Sequence, residues 1–154
     1  MKKMKQIMKD EEGLTLVELL AVVVIMAIIA GIAAVSISKL IQRTREDAQV
    51  TNVRQMIDSA NLYDIQEENG LDTTTTLTTL KEEGVIKSTS FVAEGKEAEF
   101  EFKKNVKSGE ISVVIPAAGL MAGQKPNEGI TVTEDQAANL TRDDLYNKKA
   151  NESK

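Results

Sequence analysis

From Leu19 to Ser38 the chain runs for 20 residues without a charge, and the residue just before that run is an acid, Glu18. Wound as a helix that rises about 1.5 Å per residue, the run reaches about 30 Å, enough to cross the hydrocarbon core of a bilayer. A carboxylate at the edge of such a segment costs on the order of 3 kcal/mol unless something pairs with it. No basic residue stands near Glu18 in the sequence to do so.

The residues before the run do not read as an ordinary secretory signal. Such signals end in small residues after a short apolar stretch, which is then lost on cleavage. Here the small residue Gly13 comes before the apolar stretch. A cut after Gly13 would remove a hydrophilic leader containing Lys2, Lys3, Lys5 and Lys9 and leave the anchor on the product. Those lysines favour a cytoplasmic N-terminus, although Lys39, Arg43 and Arg45 follow the other end of the run.

Composition narrows the chemistry. The 154 residues carry a net charge of -5 and include no Cys, His or Trp. The length suits one domain plus an anchor. Lacking His and Cys, the chain has few routes to zinc, iron or copper sites, to thiol nucleophiles or to a Ser-His-Asp triad. Mild acidity argues against nucleic-acid binding through bulk charge. No hydrolase elbow and no phosphate-binding loop is present.

Past Lys39 the pattern turns amphipathic. Val53, Met56, Ile57, Ala60 and Tyr63 share one helical face, while Arg54, Gln55, Asp58 and Asn61 take the others. Gly31 is the only glycine between Leu14 and Glu68, and no proline interrupts that stretch. One helix is therefore expected from about Thr15 to about Glu68, with Asn69-Gly70 as its stop. Thr73 to Thr76 offer N-cap hydroxyls to a short helix carrying Leu77 and Leu80 and ended by Gly84. Ala98, Phe100 and Phe102 alternate with Glu97, Glu99 and Glu101, and Ile111, Val113 and Ile115 alternate with polar or smaller neighbours. Both read as half-buried strands joined through Ser108-Gly109 into an antiparallel hairpin packed on the Val53 to Tyr63 stripe. Residues 117 to 129 read as loop, Ile130 to Thr133 as a short strand, Thr141 to Asp144 as the start of a helical turn, and the tail after Asn147 as frayed. The expected class is α+β: a long N-terminal helix on a small antiparallel head.

The order of a lysine-containing leader, Gly13, Leu14-Thr15-Leu16-Val17-Glu18-Leu19 and a long apolar helix resembles a type IV pilin-like precursor. Pilins, secretion pseudopilins and the competence pseudopilins of Gram-positive bacteria share this pattern. The resemblance is strong over residues 9 to 38 and looser to about residue 68. It implies that a membrane prepilin peptidase cuts after Gly13, that Leu14 becomes an N-methylated terminus, and that Thr15 and Glu18 serve assembly. Glu18 would pair with the Leu14 ammonium of its own chain or of a neighbour. Leu14 stands where Phe is commonest, Asp10-Glu11-Glu12 precede the cleavage glycine, and the apolar run lacks the usual proline, leaving Gly31 as its weak point. The small, cysteine-free head leans towards a Gram-positive pilus or competence system.

The implied organisation is a leader over 1-13, a membrane and filament-core helix half over 14-38, an amphipathic half over 39-69 and a small head over 70-154. The implied function is structural and without catalysis. Partners would be self or related pilin subunits, the peptidase, the membrane, and indirectly a platform protein and an ATPase; DNA would join them only in a competence system. Before assembly the protein would span the cell membrane once with its N-terminus cytoplasmic; afterwards it would lie in a surface filament. The alternative is a single-pass, signal-anchored protein with an extracytoplasmic binding domain. No cofactor and no metal is expected: Glu134, Asp135, Asp143 and Asp144 match no twelve-residue calcium loop and read as solvated carboxylates. Lys96, Lys103, Lys104 and Lys107 are interleaved with acids and read as a solvated sheet face.

Overall fold

The computed structural model describes residues 2–68, 70–72, 75–123 and 125–146, with side chains from residue 15 onward. The chain divides into two compact units, Met1–Ile41 and Gln42–Lys154. The helix α1, Lys2–Gln66, begins earlier than Thr15 because the leader is made of helix-compatible Lys, Met, Gln and Glu residues without a proline. Gly13 lies inside it.

Within the second unit, α1 ends two residues before the expected Glu68. Glu67 still donates to the Tyr63 carbonyl at 3.0 Å, and Gly70 takes a left-handed φ of 65°. Asp64 fixes the exit: its Oδ1 accepts from the Leu71 amide at 2.9 Å and its Oδ2 from Lys104 Nζ at 2.6 Å. Asn69, Thr73, Thr74 and the tail after Asn147 lie outside the described residues. Helix α2, Leu77–Glu82, is capped by Thr76, which exchanges a capping box with Thr79, and Gly84 follows with φ 73°.

The main sheet has the order β1-β2-β5, all antiparallel, with β1 at Glu101–Lys104, β2 at Ile111–Ile115 and β5 at Ile130–Thr133. Phe102 faces Val113 and Val113 faces Val132 across the ladders. The hairpin turn is held by Asn105, whose side chain accepts from the Lys107 and Ser108 amides, and by Gly109 at φ 76°. The expected strand over 97 to 102 is corrected in its first half. Glu97–Glu99 form a single 3-10 turn and Ala98 is exposed, so the alternation ends before it. Phe100 and Phe102 nevertheless share the buried face and are fully covered. Residues 75 to 77 bond beside them, with the Leu77 amide donating to the Phe100 carbonyl and the Phe102 amide to that of Thr75. This covers part of an edge that would otherwise be open.

One further expectation needs correction. The stretch over 117 to 129 contains a minimal hairpin, β3 at Met121–Ala122 and β4 at Lys125–Pro126. Buried Asn127 organises this stretch by donating to the Pro116 and Glu128 carbonyls while its side-chain oxygen accepts from the Leu120 amide. After β5 comes an unforeseen helix, α3 at Glu134–Asn139, started by a Thr133–Gln136 capping box. Helix α4, Arg142–Tyr146, extends the expected final turn. The core joins Val50, Val53, Met56, Ile57 and Ala60 of α1 to Phe100, Phe102, Ile111, Val113, Ile115 and Val132 of the sheet.

Candidate functional site

The region that most needs a function is the first unit. Every large apolar side chain from Leu16 to Ile37 is at least 50% exposed, on all sides of the helix. A soluble helix hides one stripe and shows the other to water; one that is apolar all round belongs in lipid or among other apolar helices. Length and composition make it a candidate membrane span. The two hydroxyls near its end are satisfied within the helix: Ser36 Oγ donates to the Ile32 carbonyl at 3.2 Å and Ser38 Oγ to that of Ala34 at 3.0 Å. Neither therefore carries an unmet polar group into an apolar phase.

Glu18 lies exposed in this helix, and so does Thr15. Gly13 and Leu14 are on the same helix by backbone, and their side chains lie outside the described residues. Residues four apart share a helical face, and side chains tilt toward the N-terminus. Leu14 and Glu18, four residues apart, therefore share one face of the helix by backbone. Gly31 has open space where a Cβ would stand, so no close contact within the chain demands a glycine there.

The second unit uses its charged residues on itself. Arg54, off the apolar stripe as expected, donates through Nε to the Ala137 carbonyl at 2.8 Å and through Nη2 to the Ala138 and Leu140 carbonyls at 3.3 and 3.0 Å. It therefore caps the C-terminal end of α3, where carbonyls are unpaired and the helix dipole is negative. Buried Gln49 donates to the Met121 carbonyl at 2.9 Å, and Gln42 to that of Ala122 at 2.8 Å. Tyr146 is buried, which pushes its phenol well above the ordinary range, and nearby Glu46 adds to the effect. Asp64 is held below the usual carboxylate range, chiefly by the Leu71 amide and then by Lys104.

The residues weighed as a calcium site have local roles. Glu134 and Asp135 occupy the first turn of α3, and Asp143 and Asp144 that of α4, where the helix dipole favours acids. Asp144 accepts from the Thr141 amide and hydroxyl at 2.9 and 2.6 Å. Of the lysines read as a solvated sheet face, Lys96 pairs with Glu99, Lys103 with Glu101 and Lys104 with Asp64. An open groove of about 540 Å³ lies between residues 47–54 of α1 and the turn at 140–143. Its cations are occupied, Arg54 on carbonyls and Arg142 with Asp47 and Asp143, each at 3.9 Å.

Residues 8–34 match the family model described as the prokaryotic N-terminal methylation motif. No curated protein and no solved structure matches the chain with significance. The matched segment contains Gly13, Leu14, Thr15 and Glu18 and most of the apolar run. The methylation motif, joined to a long N-terminal helix packed on a small antiparallel sheet, supports a type IV pilin-like precursor.

Proposed function

We propose that this chain is the precursor of a structural subunit of a type IV pilus-like filament. A prepilin peptidase cuts after Gly13, Leu14 becomes the N-methylated terminus, and the apolar helix then packs among others in the filament core. The observation that carries this reading is the methylation motif over residues 8–34 on a helix whose apolar surface is exposed all round.

Helix physics gives the cut a second consequence. In the precursor Glu18 sits in mid-helix, because α1 starts at Lys2. After cleavage the helix starts at Leu14, and Glu18 stands about one turn from the positive end of the dipole and from a new ammonium. Both favour the carboxylate. If the ammonium belongs to a neighbouring subunit, the pair neutralises two charges that are each costly in an apolar bundle and sets the axial stagger between helices. Thr15 lies beside Leu14 at the same contact. Subunits that meet head to tail make heterologous contacts, which propagate as a helix and do not close. The peptidase, related pilin subunits, platform protein and ATPase are the partners of this reading, with DNA added in a competence system. The subunit spans the cell membrane once before assembly and lies in a surface filament afterwards.

Intact mass of the protein from native membranes tests the first step. The expected product lacks Met1 to Gly13 and carries one added methyl group. Retention of the leader in cells with active prepilin peptidase would instead favour a signal-anchored protein with an extracytoplasmic binding domain.

A further inference from the structure

We infer that Arg43 and Arg45 bind the phosphates of anionic lipid headgroups in the leaflet where the apolar helix leaves the membrane. The inference rests on the membrane-spanning reading of the residues up to Ser38.

Arg43 and Arg45 follow Ser38 by five and seven residues of α1. At about 1.5 Å per residue along the helix that is about 8 and 11 Å past the end of the unbroken uncharged run. The headgroup layer occupies about 5 to 8 Å on each side of the hydrocarbon, and long basic side chains reach back toward it. Both arginines are exposed, and among the described residues neither makes an ion pair.

The acids that follow them in sequence are engaged elsewhere. Glu46 accepts from Gln42 at 2.9 Å and meets Lys125 at 3.7 Å, while Asp47 meets Arg142 at 3.9 Å. The positive charge at 43 and 45 is therefore left for something outside the chain. The turn between β3 and β4 lies against Arg45: a Cβ on Gly123 would stand 2.7 Å from Arg45 Nη1, and Gly123 has φ 70°. The Gln42 bond to the Ala122 carbonyl holds the same turn there. Two residues apart on a helix, Arg43 and Arg45 point to different sides, so each guanidinium takes a lipid phosphate of its own. A guanidinium matches two phosphate oxygens where an ammonium offers a single point charge.

The test uses the full chain reconstituted in phosphatidylcholine vesicles with or without phosphatidylglycerol. Spin-labelled forms of the two lipids serve as trace probes, and electron spin resonance reads their relative association with the protein. Each basic residue near an anionic surface contributes up to about fivefold. The wild-type chain is expected to prefer the glycerol lipid by several-fold and to lose that preference as salt is raised. Arg43→Gln with Arg45→Gln should bring the ratio down toward that of the remaining basic residues, and Arg43→Lys with Arg45→Lys should keep most of it.

Equal preference in the wild type and the glutamine variant would overturn the inference, and would fit arginines that face an acidic neighbouring subunit instead. Displacement of the probe by inorganic phosphate, beyond what sodium chloride of equal ionic strength causes, would overturn the assignment to lipid. Resistance to alkaline carbonate extraction from pure phosphatidylcholine separates this from the reading beneath it. A chain that fails to insert there defeats the membrane span itself, whereas one that inserts without anionic preference defeats only the headgroup site.

Discussion

At the residue scale the most telling positions are two acids of α1, Glu18 in its apolar part and Asp64 near its C-terminal end. Glu18 has its proposed partner only after the chain is cut. Glu18→Ala is expected to leave cleavage and membrane insertion intact while filament entry fails. Filament yield in cells lacking the wild-type subunit checks this, and normal incorporation would defeat the pairing. Asp64 already has its partners, the Leu71 amide and Lys104. Its folded pKa is lowered from 3.8, so the stability it contributes is fully present above that ordinary value and is lost as pH falls through the lower folded one. Denaturation of the detergent-solubilised chain as the pH is lowered should show that loss, and Asp64→Asn should flatten it. Asp64→Ala is expected to cost about 1–3 kcal/mol, because a buried amide loses its acceptor. Glu18 drew notice in the sequence because it interrupts an apolar pattern. Asp64 did not, since one acid among several near the end of an amphipathic helix carries no pattern of its own.

At the element scale local chemistry and tertiary contact contribute differently. Helix α2 was readable because threonines precede Leu77 and a glycine follows, and both act as cap and stop. Helix α3 has an equally local signal, Thr133 three residues before Gln136, which form its capping box. Strand β1 shows the opposite case. The Glu/Phe alternation from Glu97 continues in sequence, yet the chain turns at Glu97–Glu99, and only Phe100 and Phe102 are pinned by core and ladder. Arg54 ties elements together by holding the end of α3. Arg54→Ala should cost about 1–3 kcal/mol and speed hydrogen exchange at the end of α3 more than in the sheet. Arg54→Lys should rescue only part of this, since an ammonium lacks the guanidinium fork. Gly119 is a separate case of close packing: a Cβ there would lie 2.8 Å from Phe100 Cζ and 2.7 Å from Pro116 Cγ. Gly119→Ala is therefore expected to lower stability by about 1–3 kcal/mol in the same denaturation measurement.

At the scale of the whole molecule the chain combines two solvents' worth of design. From Leu16 to Ile41 the large apolar side chains of the first unit lie outside, whereas most of those described in the second unit, Gln42–Lys154, are buried. All the core residues lie at or beyond Val50. A chain starting at Gln42 should consequently fold, stay soluble and remain monomeric, with the β1-β2-β5 amide pattern intact by NMR. Size exclusion and amide spectra check this, and a molten or aggregated product would show that the apolar half is needed for the fold. The sequence by itself determined the exposed apolar helix, the acid at its start, the motif before it and the stripe that becomes the core. These are one-dimensional patterns, set by the 3.6-residue period and by long runs of one polarity. Only the tertiary structure decided where the strands begin, why Asn127 is buried and what Arg54, Asp64 and Gln49 are for. The carbonyl partners of Arg54 and Gln49 and the Lys104 partner of Asp64 lie at least 40 residues away along the chain, and a polar side chain acquires its role from the unpaired groups that folding brings within its reach.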